Sequence, residues 1–110
     1  MMAKHDFGIM PFAPAKGERY DHYEPHVYNC ISVDDDKLEL VEADLAEIDF
    51  FWHAVDLPGK GLNFLGVTLI PPGSMLKCVR ILEGYPGMSE LRALMEKAME
   101  AGKWMIHFGI

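Results

Sequence analysis

The segment Phe50–Ile70, FFWHAVDLPGKGLNFLGVTLI, decides how the rest of the chain is interpreted. Two runs of β-branched and aromatic residues flank the cluster Asp56–Gly61, which contains two glycines and one proline. Apolar runs on either side of a Gly-rich loop predict a β-hairpin. A helical pattern and a strand pattern lie on each side of this segment, so we expect the hairpin in the middle of the fold.

Upstream of the hairpin, the sequence predicts a strand followed by a helix. Apolar and polar residues alternate over Val27–Val33, as in a strand with two different faces. The three acidic residues Asp34–Asp36 suit the start of a helix, where side-chain oxygens and negative charge are favourable. An apolar stripe then follows at spacings of three, four and three residues: Leu38, Val41, Leu45 and Ile48.

Downstream of the hairpin, the sequence predicts a broken helical region and a closing strand. Pro71–Gly73 ends the second hairpin strand, because proline cannot continue a ladder of backbone hydrogen bonds. The helical pattern from Ser74 to Gly102 is interrupted near Gly84–Gly87. Trp104–Ile110 then has the composition of a strand.

The order strand, helix, strand, strand, helix, strand predicts an α+β fold of the ferredoxin-like βαββαβ type. We expect a four-stranded antiparallel sheet with spatial order 4-1-3-2 and two helices on one face, the second helix broken near Gly84–Gly87. Residues 1–26 are expected to form an irregular extension that covers or flanks the sheet, although Phe7–Met10 could form a short strand. Residues 27–110 are expected to form a single domain.

Composition excludes several classes of function. The chain has 110 residues, half of them apolar and a quarter charged, and a formal net charge of −7. Such a surface repels nucleic acid, and no stretch gathers Lys and Arg into a patch. No apolar run has the length of a signal peptide or a membrane span, so we expect a cytoplasmic protein without membrane contact. Cys30 and Cys78 are expected to be free thiols in that compartment.

Aromatic residues lie on both predicted faces of the sheet, which raises the question of what covers the second face. Phe51 and Val55 fall on one side of the hairpin strand, and Phe50 and Trp52 on the other. Two helices bury only one face. An uncovered apolar face marks an interface or a ligand groove. We therefore expect either that residues 1–26 fold back over it or that a second copy of the chain does, giving a homodimer.

The motifs for metals and cofactors are weak. His22 and His26 have the four-residue spacing of metal ligands on a helix, but Pro25 lies between them and disfavours helix there. Gly59–Gly61 lacks the spacing of a phosphate-binding loop and joins two strands. We expect neither a metal site nor a cofactor. The short echo between His5–Ile9 and His107–Ile110 is assigned no function.

We expect a small binding or interaction module whose ligand or partner contacts the open sheet face and the segment Tyr20–His26. The residues that would supply stacking surface and polar groups are Tyr23, His26, Tyr28, Cys30, Trp52, His53 and His107.

The alternative is a small enzyme on the same face, with His107 or His53 as general acid–base and Cys30 as a possible nucleophile. If Ile106 and Phe108 face the helices, Cys30 and His107 both point to the open face. His53 and His107 are expected on opposite edge strands, about 14 Å apart at about 4.8 Å per strand.

Overall fold

The computed structural model describes residues 3–110, which contain six β-strands and three α-helices. Two short 3-10 helices, Pro25–Tyr28 and Pro86–Met88, lie in the connections. The main elements, in chain order, are β1 (Lys4–Ile9), β2 (Ile31–Asp34), α1 (Asp35–Leu45), β3 (Asp49–Trp52), β4 (Pro58–Lys60), β5 (Val67–Ile70), α2 (Pro72–Leu82), α3 (Ser89–Glu100) and β6 (Met105–Phe108).

The strands form one open sheet in the order β2-β1-β6-β5-β3-β4, and every neighbouring pair is antiparallel. The coarse α+β class is therefore confirmed. The four-stranded ferredoxin-like arrangement with order 4-1-3-2 is not confirmed. The difference has two parts. The closing strand β6 lies between β1 and β5 instead of at the sheet edge, and two further strands, β1 beside β2 and β4 beside β3, bring the number to six.

Strand β1 makes the irregular N-terminal stretch shorter than expected. It pairs with β2, where Phe7 is opposite Ile31, and with β6, where Asp6 is opposite Phe108. The short strand suggested for Phe7–Met10 is thus a longer strand inside the sheet. The irregular part follows β1, and residues 11–30 are called the cover segment below.

The strand predicted over Val27–Val33 is wrong in its first half. Pro25 begins a 3-10 turn that includes Val27 and Tyr28, because its fixed φ suits the first position of a helical turn. Asn29 then takes a left-handed conformation with φ 49° and ends the turn. From Ile31 onward the chain returns to the sheet as β2.

The Gly-rich cluster in the hairpin forms the edge strand β4 rather than a plain loop. Gly59 allows this, because a Cβ there would lie 2.8 Å from the indole ring of Trp52. The Trp52 Nε1–H donates a hydrogen bond to the Gly61 carbonyl at 2.9 Å. Strand β3 therefore pairs with β4 on one side and with β5 on the other.

The helices agree with the sequence. Helix α1 buries Leu38, Val41 and Leu45, three of the four residues of the predicted stripe. The predicted break lies between the end of α2 at Leu82 and the start of α3 at Ser89. Local periodicity is sufficient for these elements because a helix makes its hydrogen bonds within its own segment.

Both faces of the sheet are covered. The helix face holds the larger core, which includes Phe7, Phe50 and Met105. The second face carries a smaller apolar cluster built around five buried residues, with further side chains from the cover segment packed on it. Of the two alternatives predicted, the fold-back of the chain's own N-terminal residues is the one that this structure contains. The buried residues of the second face are Met10, Val67, Leu69, Ile106 and Phe108, and those that the cover segment adds are Tyr20, Tyr28 and Cys30.

Candidate functional site

A pocket of about 480 Å³ lies between the cover segment and the second face of the sheet. Its walls come from three parts of the chain: the cover segment, the turn before β5 with β5 itself, and the ends of β1 and β6. Pockets of this volume accommodate small organic molecules. The side chains that matter for its chemistry are Lys4, Asp21, Tyr23, Leu65, Val67 and Phe108.

Asp21 is the acidic group of this pocket, and His53 lies behind it. The Oδ1 atom of Asp21 is 2.7 Å from Nδ1 of His53, and its Oδ2 atom accepts a hydrogen bond from Arg19 Nε at 2.6 Å. The His53 Nδ1 atom is also 3.3 Å from the Tyr20 carbonyl oxygen. Because both neighbours of Nδ1 are acceptors, Nδ1 carries the proton.

The backbone of His53 is held in an uncommon conformation. Its φ is 69°, in the left-handed region that residues other than glycine rarely adopt. Its N–H donates to the Val67 carbonyl at 3.1 Å, and its carbonyl accepts from the Tyr20 N–H at 2.7 Å. The cover segment is thus bonded to the end of β3 at the residue that contacts Asp21. Such conformations persist where the surroundings over-determine them, often at functional sites.

Asn63 and Gly66 complete the surroundings of His53. The Asn63 side-chain amide donates to Nε2 of His53 at 3.3 Å, which fits the neutral imidazole with its proton on Nδ1. Gly66 is required here, since a Cβ at this position would lie 2.5 Å from Asn63 Nδ2 and 2.7 Å from His53 Nε2. The imidazole is therefore held at both nitrogens.

A buried carboxylate fixes the aromatic wall of the pocket. Asp6 is only 6 % exposed and accepts hydrogen bonds from the Tyr23 hydroxyl at 2.6 Å and from Ser32 Oγ at 2.7 Å. The hydrogen bond to Asp6 raises the pKa of Tyr23. The Tyr23 ring meets Phe108 edge to face, with ring centroids 5.6 Å apart. Tyr23 thus stands over the pocket in a fixed orientation although it is largely exposed.

A second polar group lies on the helix face, where Asp35, His5, His107 and Thr68 form one line of hydrogen bonds, called the histidine chain below. Asp35 Oδ1 is 2.7 Å from His5 Nε2, and His5 Nδ1 is 2.8 Å from His107 Nε2. His107 Nδ1 is 3.0 Å from Thr68 Oγ1, which also accepts the backbone N–H of Asn63 at 2.8 Å. Burial, and after it the neighbouring His5, hold the pKa of His107 well below its ordinary value.

Cys30 and His107 lie on opposite faces of the sheet, so the condition under which both would point to the open face is not met. Ile106 and Phe108 belong to the second face, and the alternation of the strand turns His107 toward the helices. Cys30 lies over Gly8, where a Cβ would be 2.8 Å from its Sγ atom. Burial, and to a lesser degree Asp6, raise the pKa of the Cys30 thiol to about 12.

The other residues predicted for the site are dispersed. Tyr28 packs on Phe108 with ring centroids 6.1 Å apart, and burial raises its pKa. His26 is exposed in the 3-10 turn. Trp52 lies over β4 on the edge of the sheet. Of the seven residues named, Tyr23 lines the pocket and His53 contacts its acidic group.

Sequence reasoning did not name Asp6, Asp21 or Asn63 as site residues, nor three members of the histidine chain: Asp35, His5 and Thr68. The sequence did contain an indication for His5. It lies two residues before Phe7, so in a strand both side chains point to the same face, and an apolar Phe7 indicates that this face is the core. For Asp21 and Asn63 no local pattern exists, because their partners come from other segments.

No protein-family model, no curated protein and no solved structure matches this chain. Among residues 3–110, no helix has the length and apolar character needed to cross a membrane.

Proposed function

We propose that the protein is a small binding module that takes up an aromatic amine in the pocket between the cover segment and the second face. The observation that carries this proposal is the pocket itself, in which apolar walls and one carboxylate with a fixed orientation meet. This combination suits a ligand with an apolar ring and a single donor group.

The walls favour an aromatic ligand. Val67 and Phe108 belong to the apolar cluster of the second face, and the Tyr23 ring is held beside them by Asp6. Leu65, 82 % exposed, stands at the mouth. A ring that enters the pocket would cover this apolar surface and meet aromatic edges.

The charges favour an amine over a carboxylate. Each oxygen of Asp21 has one partner and keeps a lone pair for a further donor. A hydrogen bond between a charged amine and a carboxylate is among the stronger ones in proteins. The net charge of −7 also attracts cations to the surface. Lys4 is the one opposing charge among the pocket residues named above.

Three observations favour binding over the alternative of a small enzyme. His107 has no exposed surface, so it does not reach a substrate. The raised pKa of Cys30 keeps its thiol protonated near neutral pH, whereas a nucleophile needs the thiolate. The Nε2 atom of His53 is engaged by Asn63 instead of facing the pocket.

The test is an amide NMR titration with two probes of opposite charge, tryptamine and indole-3-propionate. We expect tryptamine to shift the amide signals of Tyr23, Val67 and Phe108 and to bind more tightly than the propionate. Asp21→Asn should weaken tryptamine binding about tenfold, the equivalent of about 1.4 kcal/mol. Asp56→Asn is the matched control, since Asp56 is exposed outside the pocket and loses the same charge.

Two results would contradict the proposal in different ways. Tighter binding of indole-3-propionate would reject the amine and indicate that Lys4 determines the ligand. Shifts confined to other parts of the chain, or none with either probe, would reject the pocket as the binding site.

A further inference from the structure

We propose that the histidine chain positions the Asp21–His53 pair of the pocket through Asn63, and that amine binding weakens once the histidine chain takes up a proton. This inference rests on the proposed function and concerns its regulation. It assigns a role to His5, His107 and Thr68, none of which touches the pocket.

The hydrogen bonds of the histidine chain all have the same direction, with each group donating to the next one from Thr68 to Asp35. Because Thr68 Oγ1 already accepts the N–H of Asn63, its own hydroxyl hydrogen is free to donate to His107 Nδ1. His107 then carries its proton on Nε2 and donates to His5 Nδ1. His5 carries its proton on Nε2 and donates to Asp35. Both imidazoles are neutral in this arrangement, and every hydrogen has an acceptor.

One added proton exchanges the donor and acceptor roles along most of the histidine chain. A cationic His5 donates at both nitrogens, so His107 must accept at Nε2 and move its own proton to Nδ1. Thr68 Oγ1 then accepts from His107 and from the Asn63 N–H together. Within residues 3–110 this hydroxyl has no other recorded partner, so its hydrogen loses its acceptor. A buried donor without a partner is unfavourable, and a shift of the neighbouring backbone relieves it.

The charged and apolar groups around the histidine chain determine which of its two histidines carries an added proton. Asp35 on α1 pairs with His5, and the carboxylates of Asp36 and Glu39 lie beside Asp35, so the negative charge lies at that end of the histidine chain. At the other end, burial opposes a second charge, and the pKa of His107 is lowered accordingly. A proton added to this pair therefore lies on His5, beside the carboxylate of Asp35, rather than on His107. The uncharged rings of Phe64 and Phe7 also pack against the two imidazoles.

Asn63 is the physical link to the pocket. Its backbone N–H is bonded to Thr68 on the helix face, and its side-chain amide is bonded to Nε2 of His53. His53 in turn is bonded to Asp21, whose carboxylate lines the pocket. A displacement of the Asn63 backbone thus changes the support of His53 and the orientation of that carboxylate.

The first experiment measures tryptamine binding between pH 8 and pH 5 for the wild type, Thr68→Val and Thr68→Ser. Tryptamine remains protonated over this range, as a lysine amine does. We expect wild-type binding to weaken about tenfold toward pH 5, within the usual size of coupling between sites. Thr68→Val cuts the link and leaves both histidines and His53 in place, so its binding should vary less than about twofold with pH. Thr68→Ser keeps the hydroxyl and should restore the wild-type profile.

A full pH dependence in Thr68→Val would overturn the proposal, because the dependence would then come from His53 or Asp21 themselves. A wild-type affinity that does not change with pH would also overturn it.

The second experiment needs no ligand and keeps the inference separate from the proposed function. Histidine ¹⁵N NMR of the free protein reports which ring nitrogen of His107 carries the proton. We expect a switch from Nε2 to Nδ1 on acidification, with the amide signal of Asn63 moving at the same midpoint. If Asn63 does not respond when the histidine pair titrates, the positioning role is rejected even where tryptamine binds. If Asn63 responds and tryptamine does not bind, the proposed function alone fails.

Discussion

His107 shows how strongly its surroundings determine what a residue can do. It lies on β6, stacks beside His5 at a ring-centroid distance of 5.1 Å, and packs against Phe7. Both of its nitrogens have hydrogen-bond partners and its side chain has no exposed surface. Such a histidine contributes to the stability of the fold and to the position of its neighbours rather than to contact with a ligand.

The lowered pKa of His107 predicts a stability that falls on acidification. In the unfolded chain this residue takes up a proton near pH 6.5, whereas in the folded chain it stays neutral to a much lower pH. Below pH 6.5 the unfolded state therefore binds more protons, and the free energy of unfolding decreases by up to about 1.4 kcal/mol per pH unit. Above pH 6.5 this contribution is constant.

Urea unfolding between pH 7.5 and pH 5.5 measures the effect. Wild type should lose about 1 kcal/mol more than His107→Gln over this interval, because the variant lacks the imidazole that is protonated in the unfolded chain but held neutral in the folded one. His26→Gln is the control, since it removes an exposed histidine that lies outside the histidine chain. Identical slopes for wild type and His107→Gln would show that His107 is protonated in the folded state.

The elements that the sequence predicted correctly are those held together by local contacts. The stripe of Leu38, Val41 and Leu45 and the break near Gly84–Gly87 require only neighbours within a few residues. Strand partners are different. A period-two pattern indicates that a strand has two different faces. It does not indicate which strand lies beside it or which of the two faces meets the helices. His5 and His107, which are 102 positions apart, come together only through the pairing of β1 with β6.

The candidate site was predictable only in outline, for the same reason. The Tyr-rich segment and the open face indicated where a ligand groove could form, and Tyr23 and His53 lie in or beside the pocket. The pairing of Asp21 with His53 depends on how the cover segment crosses the end of β3. No spacing along the chain encodes that crossing.

The hairpin edge allows a test of whether Trp52 belongs to the binding site. Its indole lies over Gly59 and donates a hydrogen bond to Gly61, on the part of the hairpin that does not line the pocket. Trp52→Phe keeps most of the ring and removes the donor, so the free energy of unfolding should fall by about 1 kcal/mol. Tryptamine affinity should be unchanged. Weaker binding at unaltered stability would instead make Trp52 a ligand contact.

At the scale of the whole molecule, the second face no longer requires a partner to cover it. Tyr20, Tyr28 and Cys30 pack on the apolar cluster that either the N-terminal residues or a second copy was expected to cover. Apolar side chains remain exposed at the pocket, at Tyr23 and Leu65. We therefore expect light scattering to give the mass of a monomer for the full chain. A dimer mass that Leu65→Glu reduces to a monomer would place the homodimer at the pocket mouth.

The division of the chain at residue 26 is tested by removing the residues before Val27. The shortened chain lacks β1, which pairs with β2 on one side and with β6 on the other, and it lacks His5 and Phe7 from the core. Without β1, the edge strand β2 has no partner and a buried part of the helix face is left empty, so we expect circular dichroism to show no cooperative unfolding. A chain starting at Ala3 keeps β1 and is the matched control. If the chain starting at Val27 nevertheless unfolds cooperatively, with the stability of the control, then residues 27–110 form a domain by themselves and β1 is an addition to a sheet that does not need it.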